Sequence, residues 1–435
     1  MEENKFLAKI LNLGRKIIPK RIFKFFQPFY HCVLAILGAA LYSFPGKKLV
    51  VIGVTGTKGK TTTTELVNSI LEEAGFKTAL QNTIHFKIGD QEKRNLFKMS
   101  MPGRFFMQKF LRKAVKTGCT HAVIEITSEG VKLFRHKFLY LDALIFTNLS
   151  PEHIESHSSY EKYIKAKLDI ARELEGQKNR TIVANIDDNE GQTFLDLNIP
   201  NKVPYSLHKV TGVSADENGS SFQIDKIVIH SKLPGIFNVY NMLGALSYAK
   251  FVGIADEKIK AGLEKINFIR GRMEKIKAGQ DFDVVVDYAH TPDSLEAAYE
   301  AYKNHKKICV LGNTGGGRDK WKRKEMGKIA DEYCDQIILT NEDPYDENPK
   351  KIIEDMLQGI KEEQKVEIIM DRRTAIHEAI KKACILRQAQ GSSTDKIAVI
   401  ITGKGTDPYI MGPHGTKQKW DDATVAKEEL HRIIV

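Results

Sequence analysis

The stretch that decides the fold of this chain is Gly53-Val-Thr-Gly56-Thr-Lys-Gly59-Lys60-Thr61-Thr62. An apolar, β-branched run over residues 48–54 precedes it, and a helical pattern over residues 61–74 follows it. Glycines at such a junction let the backbone wrap phosphate groups, and the helix N-terminus adds amide donors and a favourable dipole. Lys60 would neutralise phosphate charge, and the Thr61 hydroxyl would bind Mg²⁺. Although Val54 stands where the usual spacing has glycine, the context predicts a site for ATP or a similar nucleotide.

The rest of the chain repeats this alternation of apolar runs and helical patterns, which is typical of parallel sheets with crossover helices. Such runs fall at residues 122–126, 144–147 and 182–185, and again at 284–287, 308–311, 337–340, 367–370 and 397–402. Residues 203–233 predict a few antiparallel strands, and a helix is expected over 238–252. We therefore expect an α/β protein with a central P-loop ATPase domain, whose sheet is mostly parallel, and a smaller Rossmann-like C-terminal domain. The predicted parts are a basic, apolar helical segment at 1–46, the ATP-binding domain at 47–268 and the C-terminal domain at 269–435.

Composition and charge exclude several classes of protein. The chain has 435 residues, of which 42% are hydrophobic and 28% charged, as in ordinary globular proteins. Five scattered cysteines form no C-x-x-C pair, which argues against a disulfide framework or a zinc ribbon and fits a reducing cytoplasm. The net charge is +11, but residues 1–50 hold nine Lys/Arg against two Glu and so carry +7 of it. A nucleic-acid partner is therefore not expected, since the basic character is confined to one end of the chain.

That basic end carries its own pattern. Lys16, Lys20, Arg21 and Lys24 precede an apolar run of 17 residues over 28–44, at the lower limit for crossing a bilayer. A signal peptide would need a cleavage site of small residues, and Tyr42-Ser43-Phe44-Pro45 is a poor match to one. Pro28 and Pro45 predict the bounds of a single helix. This helix either packs on the next domain or, through residues 15–44, makes a peripheral contact with the inner face of a membrane.

Five motifs in a fixed order resemble those of the Mur ligases, ATP-dependent amide-forming enzymes of peptidoglycan precursor synthesis. They are Thr55-Gly-Thr-Lys-Gly-Lys-Thr-Thr-Thr, Phe146-Thr-Asn148-Leu-Ser-Pro-Glu-His153, Gly271-Arg272-Met-Glu274, Val286-Asp287-Tyr-Ala-His290-Thr-Pro-Asp-Ser and Gly403-Lys404-Gly405. The branch that they resemble most is the UDP-N-acetylmuramoyl-tripeptide synthetases. The resemblance spans residues 48–435 and implies ATP and Mg²⁺ as cofactors, a muramoyl-dipeptide precursor and a diamino acid as substrates, and a cytoplasmic enzyme that works through an acyl phosphate.

The resemblance also implies a catalytic and metal centre. Lys60, Glu125, His153 and Lys167 would be catalytic, and Thr61, Glu125, His153 and Lys167 would lie at the metal, with Lys167 carbamylated as in the family. The expected nucleotide-binding residues are Gly56, Thr57, Lys58, Gly59, Lys60, Thr61, Thr62, Asn238, Asn241, Arg272, Asp287 and His290. For Asn238 and Asn241, helix N-capping is the alternative role.

The amino-acid site departs from the family pattern. Arg318 would bind the α-carboxylate of the incoming amino acid, because a guanidinium matches a carboxylate bidentately. The family's Asp-Asn-Pro-Arg motif is Glu342-Asp343-Pro344-Tyr345 here, so the arginine that would hold the second carboxylate of diaminopimelate is a tyrosine. Asp407 keeps an acid for a distal ammonium, which favours lysine but leaves diaminopimelate open. The implied substrate-binding residues are Ser100, Met101, Ser128, Arg318, Glu342, Asp343, Tyr345, Gly403 and Asp407.

A second departure lies before the phosphate loop. About 47 residues precede its strand, where the family has a folded domain that holds the uridine end of the substrate. Recognition through the sugar-peptide part, or delivery at the membrane, would fit this difference. The alternatives are a related amide ligase acting on another carboxylate, such as a cyanophycin-synthetase-like or lipid-linked substrate, and a non-catalytic nucleotide-binding scaffold.

Overall fold

The computed structural model describes residues 20–152, 159–390 and 395–434. Its first element is the helix α1 (Lys20–Leu41), which contains Pro28. The prediction that Pro28 begins the helix is therefore wrong. Proline removes one backbone donor from a helix interior, but packing of the following turns can outweigh that loss. The prediction that this helix packs on the next domain is confirmed, because α1 lies against the helix at residues 104–116.

An eight-stranded sheet forms the core of the part that follows, in the order β4-β3-β2-β5-β1-β6-β7-β8. Its strands are β1 (Val50–Thr55), β2 (Thr78–Gln81), β3 (His85–Ile88), β4 (Gln91–Arg94), β5 (His121–Glu125), β6 (Leu141–Phe146), β7 (Thr181–Asn185) and β8 (Asn201–Tyr205). All neighbours pair in parallel except the antiparallel pairs β2–β3 and β3–β4. Because β1 is central, the loop after it opens at the middle of the sheet's carboxyl edge, where α/β folds bind ligands.

Helices cover both faces of this sheet. They are α2 (Lys60–Glu73), α3 (Arg104–Lys116), α4 (Ser128–Lys132), α5 (Tyr160–Ala171), α6 (Gly191–Leu195), α7 (Ile236–Phe251) and α8 (Asp256–Glu264). Side chains of α3 and α5 fill one apolar core, and those of α2, α7 and α8 fill the other. A small sheet in the order β11-β10-β9 confirms the predicted antiparallel segment; its strands are β9 (Thr211–Asp216), β10 (Gly219–Ile224) and β11 (Ile227–Ser231).

The C-terminal part has its own six-stranded sheet, in the order β12-β13-β17-β14-β15-β16. Its strands are β12 (Glu274–Lys275), β13 (Asp283–Val286), β14 (His305–Leu311), β15 (Gln336–Leu339), β16 (Val366–Ile368) and β17 (Lys396–Ile401), and a hairpin adds β18 (Tyr409–Met411) and β19 (Lys417–Lys419). Its helices are α9 (Pro292–Glu300), α10 (Trp321–Tyr333), α11 (Pro349–Leu357), α12 (Arg372–Gln390) and α13 (Asp422–Ile434). The five strands predicted here from their apolar runs all lie in this sheet, and the pairs among them are parallel.

A disulfide and the hydropathy of the helices bear on the predictions made from the sequence. Cys309 and Cys334 form a disulfide in the C-terminal core, a pairing that the scattered cysteine positions did not indicate. The two residues are neighbours only in the fold, since one lies on β14 and the other directly follows α10. Within the described ranges, no helix has the length and hydropathy needed to cross a membrane.

Candidate active site

The loop between β1 and α2 has the form of a phosphate cradle. Gly59 has φ +79°, in the left-handed region, and a Cβ there would lie 2.1 Å from Oδ1 of Asn241 on α7. Only glycine fits both conditions. The amide of Lys58 donates to Oδ1 of Asn148 at 2.9 Å, and the amide of Thr57 donates to the Asn148 carbonyl at 2.8 Å. The end of β6 therefore fixes the shape of the loop.

The Lys60 side chain folds back into this loop. Its Nζ donates to the carbonyls of Gly56 at 2.9 Å and Thr57 at 2.7 Å. Burial lowers the pKa of Lys60, and the nearby Glu125 opposes that change. A phosphate group entering the loop would meet an ammonium that backbone oxygens already hold in position. Thr62 lies two residues after Lys60 and is buried in the first turn of α2.

Glu125 ends β5 beside the loop and is 2% exposed. Its carboxylate accepts hydrogen bonds from Thr61 Oγ1 at 2.9 Å, from the Thr83 amide at 2.9 Å and from Ser100 Oγ at 2.8 Å. The predicted residues Thr61, Glu125 and Ser100 are thus brought together. A carboxylate next to a hydroxyl is an oxygen donor set that fits Mg²⁺.

The other two residues predicted at the metal are His153 and Lys167. His153 lies outside the described residues, so its role stays a prediction. Among the residues that the structure describes, no group of three or more His, Cys, Asp and Glu side chains is arranged to hold a metal ion. The fit for Mg²⁺ therefore rests on Thr61 and Glu125.

Lys167 lies on the inner face of α5 and is 1% exposed. Its Nζ donates to the Gly56 carbonyl and lies 5.2 Å from the ring centroid of Tyr163. Burial, together with the charge of Lys60, holds the pKa of Lys167 well below its usual range. From composition alone this residue would be a solvated helix lysine, but the structure places it directly under the phosphate loop.

The C-terminal part closes over the loop from the other side. His290 Nε2 lies 3.0 Å from Oε1 of Glu152, and its Nδ1 lies 2.8 Å from the Tyr288 carbonyl. Lys58 Nζ donates to Asp293 at 2.9 Å. Glu152 is 8% exposed and was not among the predicted site residues. The phosphate loop, the segment after β6 that carries Glu152, and the segment of the C-terminal part that carries His290 and Asp293 therefore meet, although they are distant in sequence.

Arg272 and Asp287 have different roles where the C-terminal part meets the phosphate loop. The Arg272 guanidinium stacks on the Tyr288 ring at 4.5 Å and contributes to the charge around Lys60. Asp287 accepts the amides of Met273 at 2.7 Å and Ala289 at 2.6 Å, and burial raises its pKa. Its carboxylate therefore holds the turn that carries His290.

The two asparagines of α7 are buried behind the phosphate loop. Asn241 Nδ2 donates to Asn238 Oδ1 at 3.0 Å, and Asn238 Nδ2 donates to the Pro234 carbonyl at 2.7 Å. The N-cap of α7 is Gly235, and no side chain caps that end. The alternative role in N-capping is therefore wrong, because the helix begins at Ile236, before both residues, and neither side chain caps that end.

A second cluster lies at the carboxyl edge of the C-terminal sheet. Lys404 is fully buried, and its Nζ donates to Asp343 at 2.9 Å, Asp407 at 3.1 Å and the Tyr409 carbonyl at 2.7 Å. Burial opposes the charge on Lys404, but Asp407 and Asp343 outweigh it and raise its pKa. The predicted residues Asp343 and Asp407 are therefore joined through a lysine.

Lys98, from the loop after β4, is a second site residue that the sequence analysis missed. Its ammonium pairs with Asp343 and lies 3.3 Å from Asp407. It also lies 5.7 Å from the ring centroid of Tyr345, and the Arg318 guanidinium lies 6.0 Å from the same centroid. The signal in the sequence was the tyrosine at position 345, which leaves room for a cation from elsewhere in the chain but does not indicate which residue supplies it.

Glu342 and Gly403 line the floor of this cluster. Glu342 Oε1 accepts from Thr314 Oγ1 at 2.6 Å, whereas its buried Oε2 has no hydrogen-bond partner within the described parts of the chain. A Cβ at Gly403 would lie 2.4 Å from that oxygen, and its φ is +104°. An incoming cationic group is one partner that would satisfy Oε2.

Two predicted substrate residues, Met101 and Ser128, have buried side chains. Met101 is 1% exposed, and its sulfur lies 2.4 Å from where a Cβ of Gly130 would be. Its side chain is part of the apolar core, and a contact of Met101 with substrate stays a prediction. Ser128 is buried at the start of α4, after the N-cap Thr127.

Comparisons with known proteins agree with this geometry. The model of the Mur ligase middle domain matches residues 54–249, and that of the Mur ligase glutamate ligase domain matches residues 271–405. A UDP-N-acetylmuramoyl-L-alanyl-D-glutamate–2,6-diaminopimelate ligase of Syntrophomonas wolfei is 35% identical over 412 residues, covering 91% of this chain and 81% of the relative. The chain belongs to the Mur ligase family. It is thus an ATP-dependent ligase that forms amide bonds, in a fold with two α/β parts as predicted.

Two further comparisons support the membership. The ligase of the same name from Aquifex aeolicus is 36% identical over 407 residues, covering 91% of this Mur ligase and 80% of the relative. A solved structure of a UDP-N-acetylmuramoyl-L-alanyl-D-glutamate–2,6-diaminopimelate ligase aligns with a TM-score of 0.58 at 27% identity and covers 89% of this chain and 79% of that one.

Proposed function

We propose that this Mur ligase adds a diamino acid to UDP-N-acetylmuramoyl-L-alanyl-D-glutamate at the expense of ATP. The observation that carries the proposal is that one short loop reaches both clusters: Ser100 donates to Glu125 beside the phosphate loop, and Lys98 pairs with Asp343 in the C-terminal part. Phosphoryl transfer and amine attack need such closeness, because the acyl phosphate must meet the amine before water does. The relatives named above have that dipeptide substrate in their names.

The proposed chemistry has two steps. A carboxylate oxygen of the dipeptide attacks the γ-phosphorus of ATP, and ADP leaves. The amine of the diamino acid then attacks the acyl carbon, loses a proton, and phosphate departs. Mg²⁺ held by Thr61 and Glu125 would neutralise charge on the transferred group. Lys60 would act on the same charge, held in place by its hydrogen bonds to the loop carbonyls.

Lys167 and Arg272 would complete the nucleotide side. A carbamate on Lys167 would replace a buried cation by an anion next to the metal, in keeping with the nearby charge of Lys60, which disfavours a second cation there. Arg272 would approach the phosphates from the C-terminal part, where stacking on Tyr288 already orients its guanidinium. His153 keeps its proposed place at the metal from the motif alone.

The amino-acid side rests on the cluster around Lys404. Arg318 would bind the α-carboxylate, since it makes no ion pair with any described carboxylate and faces the Tyr345 ring. Asp343, Asp407 and the free oxygen of Glu342 would attract the distal ammonium. Lys98 would bind a second carboxylate in place of the missing arginine, so that both lysine and diaminopimelate are acceptable substrates.

A phosphate-release assay tests this proposal. Release with ATP and Mg²⁺ is measured across UDP-linked and free muramoyl-dipeptides against a panel of amino acids, and products are identified by mass. We expect release only when a muramoyl-dipeptide and a diamino acid are both present. Release with a different carboxylate would favour a related amide ligase, and no stimulation by any pair would favour a nucleotide-binding scaffold.

A further inference from the structure

The outer face of α1 is apolar and exposed. Phe29 is 69% exposed, Val33 36%, Leu37 53% and Leu41 66%. Successive residues four apart lie on one side of a helix, so these side chains form a single stripe. The opposite side of α1 is also apolar, but there Ala35 is 1% exposed against α3. A helix that is apolar on all sides is normally enclosed on all sides, yet the described part of the chain covers α1 on one side only.

The stripe continues into a cleft of about 920 Å³ between the end of α1, the β3–β4 hairpin and α3. Its floor is aromatic, formed by Phe86, Phe97, Phe106 and Phe110. Leu41 belongs both to the stripe and to the cleft, and Leu96 lies at the cleft as well. Apolar surface therefore runs without a break from the helix into the cleft.

Basic side chains surround this cleft. The Lys and Arg residues that line it are Lys93, Arg94, Lys109, Arg112, Lys113 and Lys116, and none of the described lining residues is Asp or Glu. Arg94 is ion-paired with Asp421 of the C-terminal part, whereas Lys109, Lys113 and Lys116 are exposed on α3. Lys20, Arg21 and Lys24 add further positive charge at the start of α1.

We propose that this surface, defined by the α1 stripe and the cleft with its lysines, docks on a bilayer that contains anionic lipids. An apolar stripe flanked by cations is the composition of helices that lie in the membrane interface. Anionic headgroups attract such cations within a Debye length of the surface. A second copy of this chain is disfavoured as the occupant, because pairing the same face with itself would bring the lysines of both copies together.

The geometry also defines how the contact is made. The inner side of α1 is packed on α3, so the helix can lie on a membrane but cannot enter it while it remains folded on the protein. The exposed stripe spans residues 29–41, which is about 18 Å at 1.5 Å per residue. The contact is therefore peripheral and depends on both apolar insertion and charge.

Vesicle flotation of the full chain tests the proposal. Vesicles of phosphatidylglycerol mixed with phosphatidylcholine are compared with vesicles of phosphatidylcholine alone. We expect the wild-type chain to float with the anionic vesicles and to stay behind with the neutral ones. The double variant Leu37→Glu/Leu41→Glu should lose flotation, while Phe251→Glu/Phe268→Glu, which changes exposed aromatic residues elsewhere, should float as the wild type does.

A second pair of variants isolates the charge. Lys109→Glu/Lys113→Glu on α3 should weaken flotation at least about tenfold. Its match is Lys324→Glu/Lys328→Glu, which reverses two exposed lysines at the same spacing on α10 and should leave flotation unchanged. Ligase turnover with soluble substrates, together with thermal unfolding, verifies that each variant is folded. Absence of wild-type flotation, equal losses in both lysine pairs, or a dimer that Leu37→Glu/Leu41→Glu dissociates would overturn the proposal.

Discussion

The Lys98 ammonium forms an ion pair with the Asp343 carboxylate across the cleft between the two α/β parts. Lys98 follows β4 of the central sheet, and Asp343 lies shortly after β15 of the C-terminal sheet. With Lys404 and Asp407, the pair forms a group of two cations and two anions. The positive charge that the motif lacks at Tyr345 is therefore supplied from the opposite side of the cleft.

Replacing Lys98 by methionine should change the choice of amino acid. A charge-assisted hydrogen bond worth about 2 kcal/mol corresponds to about thirtyfold in kcat/KM, so use of meso-diaminopimelate should fall about thirtyfold. Use of lysine should be kept or should rise, because Asp343 and Asp407 then have one competing cation fewer. Competition assays with both amino acids measure the ratio, and Lys93→Met on exposed β4 is the matched control.

The same site allows a rescue. Tyr345→Arg restores the family's arginine and should raise diaminopimelate use in the wild-type chain. In the Lys98→Met background it should recover most of the loss. An equal fall for both amino acids in Lys98→Met, without recovery by Tyr345→Arg, would mean that Lys98 only holds the two parts together.

Removal of the phosphate-loop cation should stop phosphoryl transfer. Lys60→Ala is expected to lower kcat by at least about a hundredfold, since a positioned group that stabilises transition-state charge is typically worth that much. Glu125→Ala should raise the Mg²⁺ concentration needed for half-maximal rate. Lys77→Ala, an exposed lysine beyond α2, is the control. Wild-type rates in Lys60→Ala would refute the assignment of the loop.

Lys167 should make the rate depend on carbon dioxide. A carbamate forms only from a neutral amine, and the lowered pKa of Lys167 keeps more of the amine neutral near pH 7 than in a free lysine. Enzyme depleted of CO₂ should regain activity on addition of bicarbonate, and less so as the pH falls and the amine is protonated. Short carboxylates should restore Lys167→Ala, whereas Lys165→Ala on the exposed side of α5 should need no rescue. Full activity of unsupplemented Lys167→Ala would show that no carbamate is required.

His31 should make the attachment of α1 sensitive to acid. Burial, then the charges of Arg104 and Arg135, lowers the pKa of His31 from 6.5 to about 4. Between these values the unfolded chain binds a proton that the folded chain does not, so stability should fall as the pH drops from 6.5 towards 4. Thermal unfolding at pH 7 and pH 5 should show a smaller loss for His31→Gln than for wild type. His230→Gln, on an exposed strand position, should behave as wild type.

Sequence patterns predicted the repeating elements well because their causes are local. The apolar runs that became β13, β14, β15 and β17, and the glycines of the phosphate loop, each express a short-range requirement of the backbone. The role of Lys98 could not be predicted from the sequence, because Lys98 and Asp343 are 245 positions apart and no pattern near either residue indicates their contact. The prediction that α1 begins at Pro28 was wrong for the opposite reason. Proline destabilises a helix interior locally, but the contacts of α1 with α3, which is distant in sequence, outweigh that loss.

The six residues of the loop 95–100 make contacts at three different places in the molecule. Leu96 and Phe97 line the aromatic cleft, Lys98 reaches Asp343, and Ser100 donates to Glu125. Since consecutive Cα atoms are 3.8 Å apart, the whole span is under about 20 Å, and none of its side chains can be redirected without moving the others. Substitutions in this loop therefore affect all three contacts at once. A change of the amino-acid substrate, by evolution or by design, is less constrained at Tyr345, on the opposite side of the cleft.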